Sequence, residues 1–444
     1  MQCMEKILGV IAEFNPLHLG HEYFLKEAKR QTGASHIVAL MSGDFVQRGE
    51  PAITDMHIRA EMALNHGADL VLELPAQWAA ASAEAFALGS VGLLSALGAV
   101  DMLAFGSEEG NLSELNYIAG ILSEEPDEYK QVLKNLLSTG KSYPAARAAA
   151  LSHYALSRGR KDEEAQFIKE LISKSNNILA IEYLKALKKL SSPIKPFTLK
   201  REGSPYDSKD LNDSFPSALS IRAVFSAPMK KAAIQGNLDN TAPAHSPFCE
   251  NASSTLASIG KALPSTVLKS LSSACDNYFP IVPDDFSALL RYRLTVADGD
   301  SLNKVQGMTP HLAKRILKKR WNYTCFTAFS EDLKSKDSTL SAVKRSLLHL
   351  ILGFQGDAIP ETPPYARILG FKASTAPPLL KRIKKAASIP IISRAAVAKD
   401  ILDPVSLALY EDSLRSALIY EGVSAGKFNR VFRHEYQRPI VIVP

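Results

Sequence analysis

The sequence predicts an α/β fold, in which a parallel sheet with crossover helices precedes a largely α-helical and basic C-terminal region. Short, unbroken apolar runs alternate with helical patterns through the first third of the chain, and basic residues concentrate in the last third. Parallel strands are buried on both faces and therefore read as continuous apolar runs. The segments between them are long enough to supply the helices that parallel connections require.

The first third contains four predicted strands and three predicted helices. The strands are Ile7–Ala12, His36–Met41, Leu70–Leu74 and Met102–Phe105. The helices are His21–Gln31, Asp55–Asn65 and Ala81–Leu97. Ligands of such sheets bind beyond the carboxyl ends of the strands, so we expect a functional site among the residues that follow each strand.

The chain of 444 residues is predicted to form two regions. Residues 1–240 form the α/β domain, with a helical insertion at about 112–190 and a further strand at Phe197–Lys200. A boundary is expected within Gly236–Ser253, where the composition is typical of loops. Residues 250–444 are predicted to form the mostly helical, basic region.

Composition excludes several classes of protein. Hydrophobic residues make up 46% and charged residues 22%, which argues against wholesale disorder. The apolar-looking run Ala85–Val100 is shorter than the roughly 20 residues of a spanning helix, so no membrane partner is expected. The N-terminus lacks the pattern of a secretory signal. The four cysteines lie far apart in the sequence: Cys3, Cys249, Cys275 and Cys325. Their spacing indicates neither a disulfide framework nor a zinc ribbon, so a cytoplasmic location is expected.

The segment Gly9–His21, GVIAEFNPLHLGH, carries the most informative motif. A strand leads into a turn, and His18, Gly20 and His21 then open a helix. The N-terminus of a helix offers unpaired N–H groups and a positive dipole, and a glycine there allows a phosphate to approach the backbone. Two imidazoles three residues apart can both donate hydrogen bonds to a triphosphate.

Two other interpretations of the histidine pair remain. Short motifs occur by chance, and a histidine is often structural, although the position directly after the first strand favours phosphate binding. A zinc site needs three or four ligands, and no suitable third ligand is near in sequence, so no metal ligand is predicted. The motif resembles the HxGH signature of the nucleotidyltransferase superfamily that includes class I tRNA synthetases, which implies a Rossmann-like sheet.

Further motifs are similar to those of the bacterial tRNA(Met) cytidine acetate ligase family. They are Glu13–Pro16, Met41–Ala52, His66–Pro75, Phe105–Glu108 and Ser175–Tyr183. The resemblance is dense from about Ile7 to Arg222 and weaker to the C-terminus. It implies that ATP, expected with Mg²⁺, and acetate form acetyl-adenylate. The N4 amine of the wobble cytidine of elongator tRNA(Met) then attacks the acyl carbon, giving N4-acetylcytidine and AMP.

The resemblance also implies functional residues. His18 and His21 are the expected catalytic residues. Asn176 or Asn177 is expected to contact ATP, and we favour Asn177. The expected ATP-binding residues are Ile11, Ala12, Glu13, Phe14, Asn15, Pro16, Leu17, His18, Leu19, Gly20, His21, Glu22, Tyr23, Phe24, Gly106, Asn176, Asn177 and Arg201. The structural alternatives are a plain turn at Gly106, a helix N-cap at the asparagine pair and a solvated charge at Arg201.

Ser217–Arg222, at the predicted start of a short helix, resembles the second phosphate-binding signature of the superfamily. Leu219 stands where the family pattern leads us to expect a polar residue. Met56 stands where relatives commonly carry lysine. If that lysine neutralises phosphate, Arg48 or Arg59 is expected to supply the charge here.

Basic residues of the C-terminal region are candidates for tRNA binding. Lys314 with Lys318, and Arg315 with Lys319, are spaced to share a helix face. Trp321 or Tyr323 is expected to stack on an unpaired base. The alternative is an ordinary solvated helix face.

Two other functions fit parts of the sequence. A small-molecule adenylyltransferase would also use the HxGH core, but it does not need a long basic helical half. A non-catalytic RNA-binding protein could retain a relict nucleotide fold, but the intact His18, Gly20 and His21 argue against it.

Overall fold

The computed structural model confirms the predicted α/β fold, with a central and mostly parallel sheet. It describes residues 5–201, 217–225, 255–275, 277–336, 338–356 and 359–444. The predicted boundary at Gly236–Ser253 lies outside the described residues. Among the described residues, no helix is both long and apolar enough to cross a membrane.

The strands of the first half follow the apolar runs of the sequence. They are β1 (Ile7–Ala12), β2 (His36–Ser42), β3 (Phe45–Val46), β4 (Glu50–Pro51), β5 (Leu70–Leu74), β6 (Met102–Ser107) and β7 (Lys195–Lys200). The two-residue strands β3 and β4 form a small hairpin that the sequence did not predict. Every residue of β2 and β5 is buried, as expected for strands covered on both faces.

Helices of the first half connect these strands and form the insertion predicted at 112–190. They are α1 (Leu19–Thr32), α2 (Met56–Asn65), α3 (Ala76–Ala79), α4 (Ala83–Ala96), α5 (Leu112–Glu124), α6 (Asp127–Ser138), α7 (Tyr143–Ser157), α8 (Asp162–Leu171), α9 (Ser175–Lys189) and α10, described over 218–225. The short helix expected near Ser217 is thereby confirmed.

The C-terminal half is mainly helical, as predicted. Its helices are α11 (255–258), α12 (Ser265–Ala274), α13 (Ser287–Val296), α14 (Gly299–Asn303), α15 (Pro310–Lys319), α16 (Phe326–Leu333), α17 (Leu340–Leu352), α18 (Ala376–Ala386), α19 (Ala398–Ile401) and α20 (Pro404–Lys427). The described residues of this half also form three strands: β8 (Ala366–Lys372), β9 (Ile391–Ile392) and β10 (Val441–Val443).

Those three strands belong to the central sheet, which runs β10-β8-β5-β2-β1-β6-β7 with β9 beside β8. Strand β8 pairs antiparallel with β5, whereas the other pairs in this sheet are parallel. The sheet is therefore built from both halves of the chain, and the sequence did not predict the contribution of the second half. The limits of the two domains remain a prediction.

Two apolar clusters cover the two faces of the sheet. One contains side chains of α4, α5 and α9, and the other contains side chains of α1, α2 and α12. A third cluster forms the core of the helical region, where α13, α15, α16 and α17 pack together. Helix α20 packs against both α3 and α17 and so joins the helical region to the sheet domain.

Candidate active site

A cavity of about 840 Å³ opens at the carboxyl ends of β1, β6 and β7. Its volume is within the range of roughly 300–1,000 Å³ that is usual for small-molecule sites. The N-terminal turns of six helices, α1, α4, α7, α9, α10 and α17, contribute residues to its wall. Because each helix N-terminus carries a partial positive charge, this convergence favours an anionic ligand.

His18 and His21 lie in this wall and are held by the backbone of the first turn of α1. His18 is the N-cap of α1, and its Nδ1 accepts a hydrogen bond from the N–H of Gly20 at 3.1 Å. The N–H of His18 donates to Nδ1 of His21 at 3.4 Å. Since both Nδ1 atoms accept, both neutral rings carry their proton on Nε2, a tautomer assigned from these hydrogen bonds.

The charge state of the pair follows from its surroundings. Burial lowers the pKa of His18 well below its ordinary value, with further lowering by His21, Arg201 and Arg222. Burial, together with Arg201 and Arg222, lowers the pKa of His21 to about 3. Both imidazoles are therefore neutral at pH 7, and each offers one Nε2–H donor without adding a charge.

The turn before α1 is fixed by contacts with distant segments. The side-chain oxygen of Asn15 accepts the N–H of Ile53 at 2.8 Å, and its main-chain oxygen accepts from Arg222 at 2.7 Å. The carboxylate of Glu13 accepts the N–H of Gln47 at 3.0 Å. The loop after β2 and helix α10 thus position the histidine turn.

The other side of the cavity is formed where β6 and β7 end. A Cβ atom on Gly106 would lie 3.1 Å from Cγ of Arg201, so any side chain at Gly106 would push Arg201 aside. The guanidinium of Arg201 lies 3.4 Å from the side-chain oxygen of Asn176, in a weak hydrogen bond. These three residues form one continuous part of the wall.

Glu108 locks the start of α9 to the end of β6. Its carboxylate accepts the side-chain N–H of Asn176 at 2.8 Å and the main-chain N–H of Asn177 at 2.9 Å. The side chain of Asn177 accepts the N–H of Glu108 at 2.9 Å and donates to the carbonyl of Leu171 at 3.0 Å. Asn177 is fully buried behind the wall, whereas Asn176 lies in it, so the geometry favours Asn176 over Asn177 for ligand contact.

Most of the predicted ATP-binding residues come together in this cavity. Those in the wall are Ile11, Ala12, Glu13, Phe14, Asn15, His18, Gly20, His21, Tyr23, Phe24, Gly106, Asn176 and Arg201. Outside the wall lie Pro16, Leu17, Leu19, Glu22 and Asn177. Leu17 is fully buried in the core, so its role is to anchor the turn.

The two arginines proposed to replace the lysine absent at Met56 have different roles. Arg59 has no exposed surface and donates to the carbonyls of Glu13 at 2.7 Å, Thr54 at 3.0 Å and Ser42 at 3.1 Å, and also to Gly43. It is therefore a structural residue, and the expectation that it supplies charge to a phosphate is wrong. Arg48 lies in the cavity wall.

The second phosphate-binding signature, Ser217–Arg222, contributes to the cavity wall through its first residues. Ser217 accepts the N–H of Ser220 at 3.1 Å and so caps α10, whose Ala218 lies in the cavity wall. Leu219 does not line this cavity but a second one beside it. The unexpected apolar residue is thus outside the main site.

Sequence reasoning missed the wall residues that come from distant segments. Thr339, Ser341 and Arg345 of the α17 N-terminal region and Tyr143 of α7 line the cavity. The guanidinium of Arg345 also donates to the carbonyl of Gln47 at 3.3 Å. No local pattern marks these residues, because only the packing of α17 and α7 brings them here.

The helical region presents some of its predicted RNA-binding residues to solvent. Trp321 is 70% exposed, whereas Tyr323 is only 7% exposed and donates to the carbonyl of Ser287 at 2.9 Å. Trp321 is therefore the better placed of the two for stacking. Lys314 and Lys318 are exposed on α15, while Arg315 and Lys319 bind acceptors of α16.

The described residues contain no group of three or more His, Cys, Asp or Glu side chains suited to a metal ion. The cavity at the carboxyl ends of the strands, with two neutral imidazoles at a helix N-terminus, defines a nucleotidyltransferase of the HxGH class. The family model described as HIGH Nucleotidyl Transferase matches residues 4–432. The chain belongs to this family and, within it, to the tRNA(Met) cytidine acetate ligases.

Comparison with relatives supports this membership over nearly the whole chain. The tRNA(Met) cytidine acetate ligase of Caldanaerobacter subterraneus subsp. tengcongensis is 39% identical over 89% of this chain and 90% of its own. That of Acetivibrio thermocellus is 35% identical over 99% of this chain and 100% of its own. The crystal structure of Thermotoga maritima TmcAL bound with alpha-thio ATP is 28% identical, with a TM-score of 0.84, and 99% of each chain is covered.

Proposed function

We propose that this protein is an ATP-dependent ligase that acetylates the N4 amine of the wobble cytidine in elongator tRNA(Met). The observation that carries the proposal is the pair of neutral imidazoles at the N-terminus of α1, held with Nε2–H groups available in a cavity of about 840 Å³. The identity of the acyl group and of the RNA substrate is inferred from the relatives, which are named tRNA(Met) cytidine acetate ligase.

The first step activates acetate. A carboxylate oxygen of acetate attacks the α-phosphorus of ATP, the bond to the β-phosphate oxygen breaks, and pyrophosphate leaves with the electron pair. Negative charge moves onto the leaving phosphates. Donors already fixed in place stabilise such charge without reorganising, which is the role assigned to His18 and His21.

The cavity fits a nucleoside triphosphate on independent grounds. The absence of a side chain at Gly106 lets Arg201 pack against the backbone at the end of β6 and so places its guanidinium in the wall. Arg48 and Arg201 bring positive charge to the wall. Mg²⁺ is expected to accompany the phosphates, since it is usually held through substrate phosphates and water with few protein ligands.

The second step forms the amide. The N4 nitrogen attacks the acyl carbon of acetyl-adenylate, the carbon–oxygen bond to phosphate breaks, AMP leaves with the electron pair and one N4 proton is released to water. The ring amine of cytidine is a weak nucleophile, so holding it close to the mixed anhydride is the main contribution of the protein. Lys314, Lys318 and Trp321 are the exposed residues that we assign to tRNA binding.

The test is mass spectrometry of tRNA(Met) incubated with the protein, Mg²⁺–ATP and isotopically labelled acetate. We expect labelled N4-acetylcytidine at the wobble position, and none when ATP is omitted or when a tRNA with wobble uridine is used. ATP–pyrophosphate exchange should depend on acetate. Exchange that needs a phosphorylated cofactor precursor and is not supported by acetate would instead identify a small-molecule adenylyltransferase.

A further inference from the structure

A second cavity of about 490 Å³ adjoins the active site, and the established family membership does not assign it a role. It lies between the β3–β4 hairpin, α10, the segment before α13, and helices α16 and α17. Arg48 and Ser341 line both cavities, so the two share a wall. Its volume is within the range of about 300–1,000 Å³ that is usual for small-molecule sites.

The side of this cavity next to the hairpin is rich in charge. Nζ of Lys344 lies 2.6 Å from the carboxylate of Glu50, and both side chains are mostly buried. Burial alone would raise the pKa of Glu50, but Lys344, Arg222 and Arg48 outweigh it and lower that pKa. Three cations thus surround one carboxylate on this side of the cavity, whereas the other two carboxylates of its wall, Asp284 and Glu331, lie on the opposite side.

The opposite side combines acceptors with apolar surface. Asp284 accepts the N–H of Thr327 at 2.7 Å, and Glu331 lies one turn further along α16 on the same face. Leu219, Ile281 and Pro283 provide the apolar part of the wall. A base turned out of its strand is held between aromatic or apolar side chains and by hydrogen bonds to its polar edge.

We propose that this second cavity receives the target cytidine of the tRNA, turned out of the RNA strand, with its N4 amine directed to the wall that Arg48 and Ser341 share with the active site. The inference rests on the proposed function, because it names where the acceptor of that reaction binds. Arg48 and Arg222 attract the phosphates beside the base while Lys344 stays paired with Glu50, and Leu219 and Pro283 offer apolar surface to its ring.

Chemical necessity supports this location. The nucleophile has to reach the acyl carbon of the adenylate, yet a folded RNA cannot enter a cavity filled by a nucleotide. A neighbouring cavity with a common wall lets one base approach while the strand remains outside. The assignment also gives Leu219 a role, since an apolar side chain suits a base face where a hydroxyl would suit a phosphate.

The first test fills the cavity. Thr327→Phe places a ring in the wall, and Ala328→Phe puts the same ring on the exposed side of α16 as a matched control. We expect Thr327→Phe to lower the rate of tRNA acetylation by about tenfold or more, as loss of one stacked base would, while acetate-dependent ATP–pyrophosphate exchange stays within about twofold. Ala328→Phe should change neither. Equal acetylation by the two variants would overturn the proposal.

The second test locates the base directly. A tRNA(Met) carrying 5-iodocytidine at the wobble position is irradiated on the wild-type protein, and the linked peptide is sequenced. Crosslinks to 281–284 or 327–331 support the proposal, and crosslinks found only elsewhere contradict it. If the wild-type protein does not acetylate tRNA(Met) with ATP and acetate, the proposed function itself fails. If acetylation proceeds but the crosslinks lie elsewhere, only the assignment of this cavity fails.

Discussion

The ring centroids of His18 and His21 lie 3.8 Å apart, and the ring planes are inclined by 33°. At this separation two imidazolium ions would repel strongly, so the arrangement is compatible with neutral rings. The backbone also fixes both rings through their Nδ1 atoms. The pair therefore delivers two hydrogen-bond donors whose direction depends on the first turn of α1.

Replacing His18 should separate its structural and chemical roles. Both His18→Ala and His18→Asn remove the Nε2–H donor, so acetate-dependent ATP–pyrophosphate exchange should fall by about 10²–10³ in each. Asparagine can still accept the N–H of Gly20 as an N-cap, whereas alanine cannot, so only His18→Ala should lose about 1 kcal/mol of stability. Exchange assays and urea unfolding measure the two effects. Full exchange activity in His18→Asn would refute the catalytic role.

The histidine pair should remain neutral across physiological pH. Because the pKa of His21 is lowered to about 3, its ring signals in NMR spectra should not titrate between about pH 5 and 8. An unfolded chain takes up a proton near pH 6.5, and the folded chain does not. The contribution of these neutral rings to the free energy of unfolding is therefore fully present above that pH. It falls as the pH decreases, by up to about 1.4 kcal/mol per pH unit for each such group.

The control for this pH dependence is His21→Gln, which removes one titrating group. Its free energy of unfolding should decline less steeply than that of the wild-type protein between pH 6.5 and the value of about 3 for His21. An NMR midpoint of His21 near pH 6 to 7, roughly the ordinary histidine range, would show that the ring is not desolvated.

Arg48 and Arg59 should respond to the same substitution in opposite ways. Arg59→Met leaves the three buried carbonyls of Ser42, Gly43 and Thr54 without this donor, at about 1–3 kcal/mol each, so the free energy of unfolding should fall by at least about 3 kcal/mol. Arg48→Met should reduce ATP–pyrophosphate exchange and change stability by less than about 1 kcal/mol. Urea unfolding and exchange assays distinguish the outcomes. A stable but inactive Arg59→Met would contradict the structural role.

The adjacent asparagines form a second matched pair. Asn176→Ala should raise the KM for ATP by about tenfold, the effect of one lost hydrogen bond, with little change in stability. Asn177→Ala should instead lower the free energy of unfolding by about 1–3 kcal/mol, because it leaves the N–H of Glu108 and the carbonyl of Leu171 unpaired. Steady-state kinetics and thermal unfolding report the two effects, and the reverse pattern would show that Asn177 contacts the nucleotide.

The sequence predicted the parts of the fold that depend on local pattern. The strands β1, β2, β5 and β6 are continuous apolar runs, and the HxGH turn follows β1 as expected. The choice between Asn176 and Asn177 could not be made from sequence, because it depends on the rotation of α9, which Glu108 sets. Trp321 and Tyr323 posed the same difficulty, since only the packing of the helical region buries one of them.

Pairings between distant segments were also beyond sequence reasoning. Strand β8 joins β5 across almost three hundred residues, and β3 and β4 have only two residues each. Strands as short as β3 and β4 carry too little alternation to be recognised, and an isolated two-stranded hairpin depends for its stability on packing against the rest of the fold. The role of Arg345 in the cavity was missed for the same reason, because α17 reaches the site only after the helical region has packed.

The pairing of β10 with β8 has a consequence for biosynthesis. A nascent chain leaving the ribosome carries the HxGH turn hundreds of residues before it carries the strands that complete the sheet edge. The edge of the sheet at β5 therefore stays open until the C-terminal half has been synthesised. Partial translation products that end before β8 would expose the unpaired N–H and C=O groups of β5, which is the kind of edge that pairs with other chains and aggregates.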